Sequence, residues 1–169
     1  MTPAQLVTFK NDIAADGTLN ALSRTEDSAT VIAAAYNAAA SPDYWVWRTS
    51  VTKNEYVSAT SVDSTTFNWT GTGFIARSAG EQAAWRELFN GANACNPSLA
   101  NVRQAFTDIF SGATAPAPAN RTHLAAISRR KASRAEKLFA TGAGSTAAPS
   151  LMGVEGVLTV QDVVAAWNS

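Results

Sequence analysis

In the first half of this chain three Ser or Thr residues stand out, each preceding a Gln or Glu by three residues ahead of apolar residues at helical spacing. These pairs are Thr2 with Gln5, Thr52 with Glu55 and Ser78 with Glu81. In such a capping box the hydroxyl accepts from a backbone N–H in the first helical turn, and the Gln or Glu reaches back to the cap's own N–H. Two of the donors left open at a helix start are satisfied, so each box writes the beginning of a helix. Helix signals of this kind dominate the chain.

The periodicity between the boxes agrees. Pro3 stands at the first helical position behind Thr2; Leu6, Phe9 and Ile13 mark one face, and Gly17 ends the run. A second helix opens near Thr25, with Glu26 and Asp27 at its positive end. Val31, Ile32, Ala35, Tyr36 and Ala39 form its buried side, and Ser41-Pro42 stops it. Thr52 opens a short helix through Tyr56 and Val57, and Ser78 opens one that buries Trp85, Leu88 and Phe89 before Gly91. Asn96 reads as a cap with Pro97 at the first position, and Leu99, Val102, Phe106, Ile109 and Phe110 recur until Gly112. A helix over about 120–140 follows the linker "ATAPAPAN", and a last one starts at Thr159 with Val160, Val163, Val164 and Trp167 on one side.

Two stretches depart from this pattern. "DYWVWRTSV" sets Tyr44, Val46 and Arg48 against Trp45 and Trp47, the period of extended chain. Residues 60–74 are polar and turn-rich but carry Phe67, Trp69 and Phe74, which suits a short hairpin pinning its rings onto the helices. The fold class expected is mainly α: a compact helical domain of about six to seven helices, with a small β-hairpin and an extended loop near 141–158. Residues 1–140 form the helical domain. Residues 141–169 add an extended arm and a short C-terminal helix to that same domain, and 169 residues are enough to bury a core.

Charge narrows the function. Only 15% of residues are charged, against a typical quarter, and thirteen basic side chains balance thirteen acidic ones. No global field draws such a chain to DNA or to an acidic membrane. So sparse a charged surface suggests that neighbouring copies cover part of it. The first residues lack a signal-peptide pattern, and no apolar run approaches a membrane span, so a soluble chain made in the cytosol is expected. Cys95 is the lone cysteine, which excludes an internal disulfide and leaves a buried structural thiol as the plain reading.

Catalytic motifs do not emerge. His123 is the only histidine; the chain carries no H-x-x-x-H, C-x-x-C, G-x-S-x-G or G-x-x-x-x-G-K-[ST] pattern. Two acidic groups can always converge in a fold, but no pair is singled out. "GAGST" at 142–146 lacks the phosphate-loop lysine and follows the C-terminus of a helix, where the dipole repels phosphate. The expectation is a non-enzyme with no cofactor and no metal.

What stands out is the basic stretch "SRRKASRAEK" at 128–137. On a helical wheel Leu124, Ile127, Ala135 and Leu138 share one face, while Arg130, Arg134 and Lys137 line one flank together with His123. Lys131 falls in the apolar stripe and must snorkel out or find an acid. A solvated or ion-paired face, a protein interface and a nucleic-acid contact all stay open for this stripe. The loop behind it, 141–158, is long for a compact domain. It suits a strap across an adjacent subunit or a strand added to its sheet, against the plainer reading of a mobile surface loop. The candidate interface residues are Arg130, Arg134, Lys137, His123, Trp45, Trp47, Leu151 and Met152.

Four segments taken together, "WVWRTSV" at 45–51, "NPSLANVRQAFTDIFSG" at 96–112, "SRAEKLFATGAGSTAAP" at 133–149 and "EGVLTVQDV" at 155–163, carry a resemblance over most of the chain. The sequence resembles a family of small uncharacterised proteins encoded by tailed bacteriophages and prophages. The resemblance implies a phage protein and a virion component, and it transfers no site residues. Combined with the physical reading, it implies a structural component of the phage particle, a head–tail connector of the adaptor or completion type that assembles as an oligomer. Its partners would be copies of itself and portal or tail components, with Arg130, Arg134 and Lys137 pairing with acids of a neighbour or facing packaged DNA. It would be made in the host bacterial cytoplasm, reside in the virion and bind no membrane. Two alternatives stay open: an intracellular phage protein that inhibits a host factor, and a nucleic-acid-binding accessory protein.

Overall fold

Each of the three boxes opens a helix in the computed structural model of the chain, which describes residues 1–70, 73–91, 93–112 and 116–169. The elements run α1 (Pro3–Ala15), α2 (Gly17–Asn20), α3 (Glu26–Asn37), β1 (Trp45–Trp47), β2 (Val51–Thr52), α4 (Lys53–Ser58) and α5 (Ala79–Glu87). They continue with β3 (Ala94–Cys95), α6 (Ala100–Ile109), α7 (Ala117–Ile127), β4 (Arg129–Lys131), α8 (Arg134–Leu138) and α9 (Val160–Trp167). The protein is mainly α, with nine helices among the described residues where six to seven were expected. The β content is two two-stranded sheets, β1 with β4 and β2 antiparallel to β3, with Val51 opposite Cys95. Neither is a hairpin. Residues 71 and 72 of the hairpin expected in 60–74 lie outside the described residues, and the rest of that segment holds no strand.

The chain divides into two units. The first comprises Met1–Val46 and Lys131–Ser169, the second Trp47–Arg130. In the first, α9 packs on both α1 and α3. Its core joins Phe9 and Ile13 of α1, Ile32 and Tyr36 of α3, Val163 of α9 and Leu158, with Ala29, Ala33, Ala135 and Ala166 between them. Small side chains at these contacts let helix backbones approach closely, and Phe9 meets Tyr36 edge-on at 4.7 Å. Val31 was expected inside but is 53% exposed; Ala33 takes that side of α3. Ala39 and Val164 are exposed as well, and Ala166 is the second buried residue of α9 beside Val163.

The second unit is built on rings. Trp85 of α5 is wholly buried, with Phe89 at 4.9 Å, Phe67 at 5.4 Å and Phe110 at 5.8 Å between ring centres. Tyr56 of α4 and Phe106 of α6 complete the cluster. Phe67 and Phe74 are pinned into it from the irregular segment, as expected, whereas Trp69 stays 40% exposed.

Three expected boundaries are corrected. Gly17 does not end the first helical run but opens α2, with Asp16 as its cap. Asn96 does not cap a helix: its side-chain oxygen accepts from the N–H and hydroxyl of Ser98 in a local turn, and α6 starts at Ala100. The helix expected over 120–140 is three elements, α7, β4 and α8. The linker expected at 113–120 has its first three residues outside the described ones, and α7 already begins at Ala117.

Candidate functional site

The break between α7 and α8 decides where the candidate residues go. In a continuous helix the Ala132 N–H would donate to the Ser128 carbonyl. Instead Ser128 O accepts from the Arg48 N–H at 2.9 Å, and the Ala132 N–H goes to Tyr44 O at 2.8 Å. Ser133 then caps α8 through a box with Glu136, at 3.2 Å and 2.9 Å. The basic stripe therefore does not exist as one helix flank. Arg130 sits half-buried on β4, Arg134 and Lys137 lie on α8, and His123 is fully buried in α7.

His123 is a core histidine. Nε2 lies 2.7 Å from Tyr56 O, and Nδ1 lies 3.1 Å from Thr65 O and 3.2 Å from the Thr65 hydroxyl, so both ring nitrogens have partners inside the unit. Beside it runs a buried relay: the Ser128 hydroxyl donates to Leu124 O at 2.6 Å and meets the Tyr56 hydroxyl at 2.8 Å, which in turn accepts from Cys95 Sγ at 3.8 Å. Burial pushes the Cys95 thiol above its ordinary pKa, which keeps it protonated and unreactive. The plain reading of Cys95 holds.

Arg134 is an internal staple of the first unit. Nη1 donates to Asp16 at 2.8 Å, and Nη2 donates to Asp12 and to the Tyr36 hydroxyl, both at 3.2 Å. The guanidinium lies 4.2 Å from the Tyr36 ring centre, and the Tyr36 hydroxyl itself donates to Asp12. α1, α2, α3 and α8 are thus joined through one side chain. The Arg134 hydrogen bond, and then the N–H of Leu19 at the start of α2, hold the Asp16 carboxyl below its usual range. Burial first, and then the Asp12 carboxylate, push the Tyr36 phenol well above its own. An open cleft of about 580 Å³ lies against this cluster, lined by Asp12, Asp16, Arg134 and Lys137 among others. Lys137 stands 5.8 Å from the Tyr44 ring centre, and Lys131 pairs with Asp43 at 2.7 Å. These cations are used at home.

The loop 141–158 carries no helix or strand, as expected, but it is fastened to its own unit. Thr141 and Leu151 exchange backbone bonds at 2.8 and 2.9 Å, Trp45 N–H donates to Gly144 O at 2.8 Å, and Ser150 N–H donates to Trp45 O at 2.9 Å. The Tyr44 hydroxyl lies 3.0 Å from Gly142 O and 2.7 Å from the Ser150 hydroxyl. Gly144 has φ +67° and sits so close to the Tyr44 ring that a Cβ there would come within 2.0 Å of it. "GAGST" is glycine-rich because the loop closes on a ring, not on a phosphate. Farther on, Asn37 brackets the backbone of Leu158, accepting from its N–H at 2.8 Å and donating to its carbonyl at 2.9 Å. Two large apolar side chains of the loop face outward, Leu151 at 47% exposure and Val157 at 78%, beside the exposed Ser145, Thr146 and Glu155, while Met152 is half-buried.

Of the two tryptophans, Trp45 joins this loop through its backbone, and the ring of Trp47 carries the Arg103 guanidinium at 4.6 Å in the second unit. The structure thus gathers Trp45, Leu151 and Met152 around one loop, with Arg134 and Lys137 on α8 of the same unit. It sets His123 apart. Sequence reasoning missed Asp12, Asp16, Asn37 and Tyr44. The S-x-x-E spacing of Ser133 and Glu136 announces the helix break, and Asp12 with Asp16 form a visible i,i+4 acidic pair; nothing local marks Asn37 as the partner of Leu158. Among the described residues no group of three or more His, Cys, Asp or Glu is placed to hold a metal ion, and no helix is long and apolar enough to cross a membrane. The chain matches no protein-family model, no curated protein and no solved structure.

Proposed function

We propose that this protein is a non-enzymatic assembly component of a tailed-phage particle, of the adaptor or completion type found at the head–tail junction. One observation carries the reading from geometry: the 141–158 loop is anchored by backbone and hydroxyl groups while Leu151 and Val157 face outward. A pre-ordered loop presenting apolar side chains binds a neighbour without the entropic cost of ordering a free strap. The resemblance carried by "SRAEKLFATGAGSTAAP" supplies the phage context. The role expected for the cations is revised: Arg134 and Lys131 are already paired within the unit, so the contact rests on the loop's apolar residues rather than on a basic stripe.

Mass spectrometry of the proteins in purified particles, combined with electron microscopy, tests this. The expected result is a fixed number of copies per mature particle, placed where loop residues 141–158 contact an adjacent chain. Absence from the mature particle would overturn it and favour an intracellular inhibitor. Binding to DNA that weakens steeply with salt would favour the nucleic-acid reading instead.

A further inference from the structure

A small pocket in the second unit presents two arginines and no carboxylate. It encloses about 150 Å³, between Arg103 of α6 and Arg121 of α7, with Trp47, Thr107 and Ser128 in its walls. Each guanidinium is oriented by backbone carbonyls through a single nitrogen. Arg103 Nη1 donates to Pro97 O and Ser98 O, both at 2.7 Å; Arg121 Nη1 donates to Phe110 O and, at 3.1 Å, to Gly112 O. The Trp47 ring beneath Arg103 fixes the plane of its fork.

That leaves the Nε and Nη2 edge of both side chains without an acceptor among the described residues. It is the edge that grips an oxyanion with two parallel hydrogen bonds. The contrast within the unit is direct. Arg48 pairs with Glu55, Arg77 with Glu81 and Arg129 with Asp63, while among the described residues Arg103 and Arg121 meet carbonyl dipoles and, for Arg103, the Trp47 ring, but no carboxylate. Burial pulls the Arg103 pKa down, as befits a cation taken from water with no counter-charge supplied. The hydroxyl of Ser128 is already committed to Leu124 O and Tyr56, so the guanidinium edges are the donors on offer.

We propose that this pocket binds a phosphate group, held side-on by Arg103 and Arg121. Two cations match a dianion better than a single carboxylate. At roughly 30 Å³ per water, the volume equals about five waters, enough for one tetrahedral oxyanion. One face of Trp47 is covered by Arg103, so no base stacks on that face. The source is therefore free inorganic phosphate or a terminal phosphate whose remainder lies outside the pocket. The site is independent of the assembly role proposed above.

The test is an NMR titration of the full chain with inorganic phosphate at constant ionic strength, following the arginine Nε–H signals. The expected result is a saturable, low-millimolar shift at Arg103 and Arg121 with none at the exposed Arg86. R103K keeps the charge and loses the fork, and should bind about tenfold more weakly. Equal affinity for a nucleoside 5′-monophosphate would identify a terminal phosphate as the source, and binding of phosphate alone would identify the free ion. Shifts that do not saturate, shifts of equal size at Arg86, or unchanged affinity in R103K would each overturn the site. The wild-type titration decides the matter even if R103K folds poorly.

Discussion

In the first unit helices meet over Ala29, Ala33, Ala135 and Ala166, and one aromatic pair, Phe9 and Tyr36, lies in the core. In the second, Tyr56, Phe67, Phe74, Trp85, Phe89, Phe106 and Phe110 touch ring to ring. Small contact residues bring backbones close enough for one arginine to join four helices. Large rings let short helices and an irregular segment share a core that no single helix could fill. Yet the two units solve one problem alike. Asn37 brackets the backbone of Leu158, and Asn120 brackets that of Asn68, accepting at 2.8 Å and donating at 3.2 Å. In each a side-chain amide stands in for a missing strand partner.

The contrast can be broken most forcefully at Trp85. Trp85→Ala should cost about 3–5 kcal/mol, because a fully buried ring leaves a cavity among rigid neighbours. Hydrogen exchange should then lose protection on peptides from 47–130. Trp85→Phe should be much milder, since it also removes a buried indole N–H that has no acceptor among the described residues.

Next in size is Gly144→Ala, at about 2–3 kcal/mol, from positive φ and collision with Tyr44. Thermal melts give the loss, and exchange should localise it to residues 141–151.

The shared bracket allows a sharper comparison. Asn120→Ala should cost about 2–3 kcal/mol because Asn120 is fully buried, and Asn37→Ala about 1 kcal/mol because Asn37 is half-buried. Denaturant melts of the two variants side by side would show whether burial sets that ratio.

The smallest effect is acid sensitivity in the first unit. The Asp16 carboxyl is held below its ordinary pKa, so its contribution is complete above the unfolded value of about 3.9 and fades as pH falls through the lowered folded value. Wild type should melt above Asp16→Asn at neutral pH, and the gap should narrow as pH falls below about 4.

Much of the helical framework was legible because capping is local. Thr2, Thr25, Thr52, Ser78 and Thr159 each cap the helix their spacing announces, and the core face of α1 follows from Phe9 and Ile13. The 120–140 segment misled because its apolar residues keep helical spacing on both sides of the break. The competing bonds come from Arg48 and Tyr44, some eighty residues earlier, and local periodicity does not register them. Asn96 misled for a related reason. The carbonyls of Pro97 and Ser98, which an earlier helix start would use, accept from the Arg103 side chain instead. The candidate site was half legible: the loop and its apolar residues could be picked out, but the fate of each cation depended on acids brought close only by folding.

The first unit is assembled from two segments that precede and follow the second unit in sequence, and that fixes an order of events during synthesis. Residues 47–130 leave the ribosome as a continuous stretch with their entire ring cluster in hand. α1 and α3, made before that stretch, must wait for α9 before Phe9, Ile13 and Ile32 are covered, a delay on the order of ten seconds at roughly 5–20 residues per second. α1 and α3 are therefore made before the second unit yet buried after it, and a chain stalled before Thr159 presents their apolar faces to whatever chaperone or protease is nearby.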